Sequence, residues 1–510
     1  MCELQQIACG NMCVKEFEQS YTCNILYKEV FISFKGRIWM IRFGTGGWRA
    51  IIGDDFVKEN VYKVGQAVYE YLKRHDQLDK PVVIGYDRRF LSRQASWWLI
   101  EVLAGNGIKV LAMKRSAPTP LTMHIVKTMG LHAGLEVTAS HNPPEYNGIK
   151  MFTDEGRDAA LEVTEELESI LDALRTEDIK AMPKEEVETA GLVEYLKNPF
   201  NPFIDDILAQ MNMDVIRERG LRILLNPMHG SGIYPLMTIF YTTRCTVDVI
   251  NDQLDAYFGG HMPAPTEETL KDLIHKVVDE KYDLGIAVDG DGDRLGIIDS
   301  NGRYISANEI LVMLYYYLHE YKGWKGPVVR NLATTHMLDA VAKSFGEVCY
   351  EVPVGFKYIS SKIDETDAVL GGESSGGLTV RGHIHGKDSI YAAALFIEMV
   401  AAIGKSPSEF MDELVEKYGH FEMVESNLRF APEKKPEIND LLMVQKQLPD
   451  FGRPIARVSY EDGCKVYFAD NSFIICRFSG TEPLLRIFAE SERQDKAQDY
   501  IERFKKFIGI

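Results

Sequence analysis

The apolar and polar positions along this chain alternate between two periods. Short apolar runs of four to six residues, flanked by turn formers, read as buried strands, and longer segments with apolar residues three and four apart read as amphipathic helices. Val61, Val64, Ala67, Val68, Tyr71 and Leu72 form the first helical stripe. After it come a strand at 82–86, a helix at about 91–105, and strands at 109–113 and 134–138. The stretch 159–189 is acidic and helical and predicts a solvated helix with a linker. A second unit begins near Gly191, with strands at 221–225, 245–249 and 284–288. A third carries a helix at 306–320, strands at 328–332, 347–352 and 368–371, and a helix from Asp388 to about 403. From about 421 the pattern becomes strand-rich, with strands at 464–469, 473–477 and 484–490, then a terminal helix from about 493.

Strands alternating with helices imply right-handed crossovers and mixed or mostly parallel sheets, with ligand loops beyond the strands' carboxyl ends. The expected fold class is α/β. Three units of similar plan are expected at 40–190, 191–300 and 301–420, and a smaller α+β domain at 421–510. Residues 1–39 have weak periodicity and read as an amino-terminal extension, with Met40 as a candidate natural start.

Length and charge narrow the classes. At roughly 100–200 residues per domain, 510 residues imply three or four domains. With 57 basic and 75 acidic residues the formal charge is -18, which argues against nucleic acid or an anionic membrane as partner. No run approaches the roughly 20 apolar residues of a membrane span, and the amino terminus lacks a signal-peptide pattern. Eight cysteines in this length fit a reducing compartment, so a cytoplasmic location is expected. The spacings of Cys2, Cys9, Cys13 and Cys23 match no zinc site and predict unpaired thiols.

Five stretches carry candidate chemistry. In Thr138-Ala139-Ser140-His141-Asn142-Pro143, a hydroxyl nucleophile sits beside an imidazole on a loop at a strand end, where the side chain is expected to be exposed; a second turn follows at Asn147-Gly148, with Lys150 beyond it. Asp289-Gly290-Asp291-Gly292-Asp293-Arg294 alternates carboxylates with glycine, which can turn three oxygens onto a hard cation and leave positions for water and a phosphate, as magnesium prefers. Gly372-Glu373-Ser374-Ser375-Gly376-Gly377 displays a carboxylate and hydroxyls suited to sugar hydroxyls, with His383, His385 and Lys387 downstream. Arg477-Phe478-Ser479-Gly480-Thr481, with Arg486 nearby, can cradle a phosphate through guanidinium, hydroxyl and backbone amide groups. Gly44-Thr45-Gly46-Gly47-Trp48-Arg49 could do the same, or simply be a tight loop.

Over residues 40–510 these stretches, in this order, resemble the α-D-phosphohexomutase family of phosphoglucomutases and phosphomannomutases. The resemblance implies four domains around a central cleft: three related mixed-sheet α/β/α units and a smaller C-terminal domain that can rotate. It implies a phosphoserine at Ser140 and Mg²⁺ held by Asp289, Asp291, Asp293 and the Ser140 phosphate. It implies proton transfer or charge stabilisation by His141, Lys150 and Arg49, supported by Arg294 and Thr45. Sugar contacts are implied for Glu373, Ser375, Lys357, His383 and Lys387, and phosphate contacts for Arg477, Ser479, Gly480, Thr481 and Arg486. The expected partners are hexose phosphates, with glucose 1,6-bisphosphate as activator and intermediate, and the expected assembly is a monomer or weak homodimer.

The sequence departs from the family pattern at Ser374, where a second glutamate is common, and at Ser389, where Lys-Asp-Gly is common; the latter is expected to act on a helix start. The leading expectation is interconversion of glucose 1- and 6-phosphates, with mannose phosphates as further substrates. A phosphomannomutase is one alternative, and the other is a phosphoglucosamine mutase. Its usual metal loop has alanine where this chain has Gly292, and its usual sugar loop ends in histidine where this chain has Gly377. A catalytically silent sugar-phosphate sensor is a further reading, disfavoured because a binding module needs neither Ser140 nor a metal loop.

Overall fold

The apolar runs become strands whose two faces are both covered. Val82–Tyr86, Gly134–Val137, Leu284–Val288 and Val328–Asn331 are buried at every position, as parallel strands are when helices pack on both sides. The computed structural model describes residues 41–44, 46–478 and 484–509. The chain divides into the units Met1–Arg42 and Phe43–Ile510, and the second holds all four sheets. The expected extension at 1–39, with its four cysteines, lies outside the described residues; Cys245, Cys349, Cys464 and Cys476 are free thiols.

Three sheets repeat one plan. In the first, Val82–Tyr86 lies between two parallel neighbours, Val110–Ala112 and Gly134–Val137, and the latter turns back antiparallel into Tyr146–Thr153. In the second, Arg222–Asn226 lies between Thr246–Val249 and Leu284–Val288, which turns back into Leu295–Asp299. In the third, Val328–Asn331 lies between Cys349–Val352 and Leu370–Gly372, which turns back into Leu378–Val380. The fourth sheet is an antiparallel meander-like layer, ordered Glu422–Arg429, Leu484–Ser491, Phe473–Phe478, Cys464–Phe468 and Ile455–Ser459, with helix Gln494–Ile508 against it. Helix starts follow the local code: Ser306 with Glu309, and Ser406 with Glu409, each form a capping box.

Several expectations shift. Asn147-Gly148 is not a turn but part of strand Tyr146–Thr153. The Asn147 amide is held by Phe90 O and Ser92 Oγ, and a Cβ on Gly148 would lie 2.2 Å from Trp48 O, so the pair serves a close strand approach. The first sheet extends past 190 by pairing Val193–Tyr195 with Val110–Ala112, and the second past 300 by pairing Tyr304–Ile305 with Leu295–Asp299. The acidic helix Leu161–Ala173 is not wholly solvated: it buries Leu167, Ile170 and Leu171 and packs on Lys58–Arg74. Among the described residues no single helix is long and apolar enough to cross a membrane.

The fourth domain is seated on the third through a mixed contact. Leu332 and Ala333 pack with Phe473 and Ile475. Beside them, the buried Lys465 ammonium donates to Leu332 O (2.7 Å), His336 Nε2 (3.1 Å) and Glu351 Oε2 (2.6 Å). Arg330 donates to the same carboxylate oxygen at 2.6 Å. Burial and the charge of Arg330 pull the His336 imidazole down to about 4, and burial pulls Lys465 down to about 7. With Nε2 accepting from Lys465 and Nδ1 2.9 Å from Asn471 O, His336 fits only as the neutral ring.

This linkage sets an acid limit on the interface. The unfolded chain takes up a proton on His336 near the ordinary value of 6.5, whereas the folded chain resists until about 4. The His336 contribution is therefore fully present above pH 6.5 and falls as pH drops through 4, by about 3 kcal/mol. Urea unfolding across this range should show that decline in the wild type and a flatter profile in His336→Gln; equal slopes would remove His336 as the cause.

Candidate active site

The repeated plan puts three chemical loops at equivalent points. Residues 138–145 join Gly134–Val137 to Tyr146–Thr153, residues 289–294 join Leu284–Val288 to Leu295–Asp299, and residues 373–377 join Leu370–Gly372 to Leu378–Val380. Each lies where the third parallel strand of its unit reverses. These segments are tied to their neighbours: Leu295 N donates to Gly376 O at 3.1 Å, and Thr119 N, at the start of helix Thr119–Thr128, donates to Asp291 O at 2.8 Å.

Ser140 is 1% exposed, contrary to the expected exposed turn, and its φ of 53° is left-handed. Its amide donates to Thr138 Oγ1 (2.8 Å), which donates to Asp87 Oδ2 (2.7 Å). Ser140 Oγ donates to Asp289 Oδ2 at 3.0 Å and lies 3.3 Å from His141 Nδ1. Burial, with Arg294 and Arg49 nearby, holds His141 well below its ordinary value, so it is neutral near pH 7. Arg49 donates to Asn142 Oδ1 at 2.7 Å. Burial lowers its pKa too, and the charge of Arg294 adds to the effect. Two guanidinium groups thus face the serine loop, a setting made for an anion.

Asp289, Asp291 and Asp293 are all buried, and each offers an oxygen within 4.8 Å of the others. Asp289 Oδ1 accepts from the amides of Asp293 and Arg294 at 2.8 and 3.0 Å. Lys150 Nζ donates to Asp291 Oδ2 (2.7 Å) and Asp293 Oδ2 (2.8 Å), and Thr119 Oγ1 donates to Asp291 Oδ2 (2.6 Å). Burial alone would lower Lys150, but Asp291 and Asp293 outweigh it and raise its pKa. The lowered value a lysine base requires is therefore absent, and Lys150 is a cation here. Burial and the neighbouring Asp293 and Asp291 push Asp289 well up, whereas Lys150, Lys387 and Arg294 overcome burial and hold Asp293 well down. Asp291 Oδ1 and Asp293 Oδ1 are buried without a hydrogen-bond donor. Hard oxygen donors converging with unused acceptors fit a divalent cation.

In the sugar loop, Glu373 Oε1 accepts from Asn331 Nδ2 (3.0 Å) and Gly355 N (3.1 Å), and Ser375 Oγ lies 3.4 Å from Glu373 Oε2. Lys357 is in the first turn of helix Phe356–Thr366, two residues beyond Gly355, and burial lowers its pKa. Lys387 reaches back to Asp293 Oδ2 at 3.2 Å. His383 does not join them: its Nε2 is 2.6 Å from Asp388 Oδ2, its ring stacks on Tyr391, and it orders the start of helix Ser389–Ile403 instead of meeting the cleft. Ser389 acts on more than that helix start, because its hydroxyl donates to Gly292 O of the metal loop at 2.7 Å. Arg477 and Arg486 are cross-strand partners, with Arg477 Nη2 2.9 Å from Asp462 Oδ2. Thr45, Ser479, Gly480 and Thr481 lie outside the described residues.

Four domain families of phosphoglucomutase/phosphomannomutase match the chain in order: α/β/α domain I over 40–178, domain II over 201–302, domain III over 306–418 and the C-terminal domain over 425–507. The chain belongs to this family, the α-D-phosphohexomutases. This phosphohexomutase is 30% identical over 461 residues to the phosphoglucomutase/phosphomannomutase of Thermococcus kodakarensis, across 90% of this chain and 96% of that one. It is also 30% identical over 467 residues to a protein of Methanopyrus kandleri named "Probable phosphoglucosamine mutase", across 91% and 97% of the two chains. Its fold is similar to that of a Thermus thermophilus protein provisionally named a phosphomannomutase, with a TM-score of 0.79, 26% identity, and 92% and 99% of the chains covered.

Sequence reasoning missed Asp87, Arg89, Thr119 and Asp158 as parts of the site. Asp87-Arg88-Arg89 falls at the carboxyl end of a strand, where the sequence pattern does expect a ligand loop, but no individual role followed for Asp87 or Arg89, and Thr119 gave no signal. Asp158 sits on the short edge strand Arg157–Asp158, where burial raises its pKa although Lys387 and Lys150 are close. Thr119 holds a carboxylate of the metal loop, so Thr119→Val should weaken Mn²⁺ binding about tenfold by electron paramagnetic resonance titration, and an unchanged Kd would exclude that role.

Proposed function

We propose that this phosphohexomutase interconverts glucose 1-phosphate and glucose 6-phosphate through a phosphoserine at Ser140, with mannose phosphates as slower substrates. The observation that carries the reading is the buried Ser140 hydroxyl, 3.0 Å from Asp289 and ringed by His141, Arg49 and Arg294. A serine meant only to cap a turn has no need of two guanidinium groups and three buried carboxylates.

A hydroxyl of the bound sugar phosphate attacks the phosphorus on Ser140; the bond to the sugar oxygen forms as the bond to Ser140 Oγ breaks. The sugar hydroxyl loses a proton and Ser140 Oγ gains one. Neutral His141, 3.3 Å from Oγ, is suited to that relay. Lys150, as a cation, offsets charge developing on the transferred group. Mg²⁺, when held by Asp289, Asp291, Asp293 and the Ser140 phosphate, would neutralise phosphoryl oxygens. Glu373, Ser375, Lys357 and Lys387 would hold the sugar, and Arg477, Ser479, Gly480, Thr481 and Arg486 the distal phosphate. The glucose 1,6-bisphosphate so formed reverses end for end and returns its other phosphate to Ser140.

A neutral hexose is supported by the departure of the sugar loop from the phosphoglucosamine mutase pattern at Gly377. A Cβ on Gly377 would lie 2.2 Å from Lys387 Cδ, so this glycine lets the Lys387 stem cross the loop where an imidazole is usual in phosphoglucosamine mutases. The second reading, a phosphoglucosamine mutase, is supported by names among the relatives, including the Methanopyrus protein.

Two measurements test this. Comparison of kcat/KM for the 1-phosphates of glucose, mannose and glucosamine should favour glucose by about tenfold or more; glucosamine phosphate leading by that margin reverses the assignment. Ser140→Ala should lose enzyme-bound phosphate by intact mass and about 1000-fold or more in kcat, and full turnover in that variant would sink the phosphoserine route.

A further inference from the structure

Ser140 keeps its left-handed backbone because one guanidinium gathers the loop around it. Arg89 Nη2 donates to Ser140 O (2.6 Å) and Asn142 O (2.5 Å), and Nη1 donates to Pro143 O (2.8 Å) and Tyr146 O (3.1 Å). Its Nε lies 3.3 Å from Asp87 Oδ2, the oxygen that also accepts from Thr138. Both Arg89 and Asp87 are buried. Asp87 is fixed in turn by Ser92 Oγ (2.6 Å) and by the Arg89 amide (2.9 Å). All the outward donors of this arginine are therefore spent on main-chain carbonyls between Ser140 and Tyr146, and none is aimed at a substrate. A non-glycine residue at positive φ costs about 1–2 kcal/mol and persists only where its surroundings over-determine it.

The same arginine reports on the metal domain. Its Cζ lies 4.9 Å from the centre of the Phe258 ring, and Phe258 itself has a φ of 50°. Next to it, Arg88 donates to Asp252 O at 2.9 Å, so adjacent cations grip the serine loop and the 252–258 segment. The loop bearing Ser140 and the domain bearing the three aspartates are thus joined behind the reacting atoms as well as across them.

We infer that Arg89 is a positioning residue for phosphoryl transfer: it acts through four carbonyls of the Ser140 loop to hold the serine oxygen in register with the aspartate loop, and Phe258 stacks on it to tie that register to the metal domain. The inference rests on Ser140 being the phosphoryl carrier. A lysine cannot replace it, because one ammonium has three donors and no planar fork.

The full-length enzyme and Arg89→Ala are compared with glucose 1-phosphate as substrate. Misplacement of the serine should lower kcat about 100-fold while KM stays within about twofold, since no substrate contact is removed. Added guanidinium should restore at least about tenfold of the loss, and methylammonium should not. A kcat within about threefold of the wild type, or a loss that guanidinium leaves untouched in natively folded protein, overturns the inference. Should Arg89→Ala fail to fold, Arg89→Lys decides: lowered kcat at constant KM supports the assignment and unchanged kcat overturns it. Intact mass after incubation with glucose 1,6-bisphosphate separates the two layers. Wild type without phosphate on Ser140 ends the phosphoserine reading itself, whereas phosphorylated wild type beside a fully active Arg89→Ala ends only the role given to Arg89.

Discussion

Three carboxylates buried within one short loop are the constraint from which the rest of the centre follows. Like charges at this spacing, out of water, repel strongly, and the protein answers with cations from three directions: Lys150 from the first unit, Arg294 from the loop itself and Lys387 from the third unit. The loop therefore draws part of its charge compensation from beyond its own unit. Charge compensation draws three domains together at one point, and that point lies beside Ser140.

The repeated sheet plan makes this convergence simple to build. Each α/β unit reverses direction after its third parallel strand, and each reversal carries one polar loop, so three copies of one topology deliver the Ser140 hydroxyl, the three loop aspartates and the Glu373 carboxylate. The distances between loops are then fixed by hydrogen bonds such as Leu295 N to Gly376 O and Ser389 to Gly292 O, not by any segment's own propensity. The fourth domain is attached differently. Its seat on the third combines an apolar patch with the buried Lys465–Glu351–Arg330 group, whose polar part is sensitive to proton uptake by His336. An interface with buried charge depends on its partners staying in register.

Much was legible from the chain alone. The alternation of apolar runs and helical stripes located the principal strands and helices, because local period and burial on both faces are written in consecutive residues. The order of Ser140, Asp289–Asp293, Glu373 and Arg477 pointed to the family, because each loop concentrates its chemistry within a few positions. Local signals failed where a residue's role depends on a distant partner. Asn147-Gly148 has turn chemistry but serves a strand, and His383 looked like a sugar ligand but is spent on Asp388.

The sequence by itself thus determined the elements, the kinds of chemistry available and the family. Only the tertiary structure decided the burial of Ser140, the charge on Lys150 and His141, and the recruitment of Asp87, Arg89 and Thr119. Those properties arise from desolvation and from partners on segments about fifty to more than a hundred residues apart, for which the local pattern holds no record.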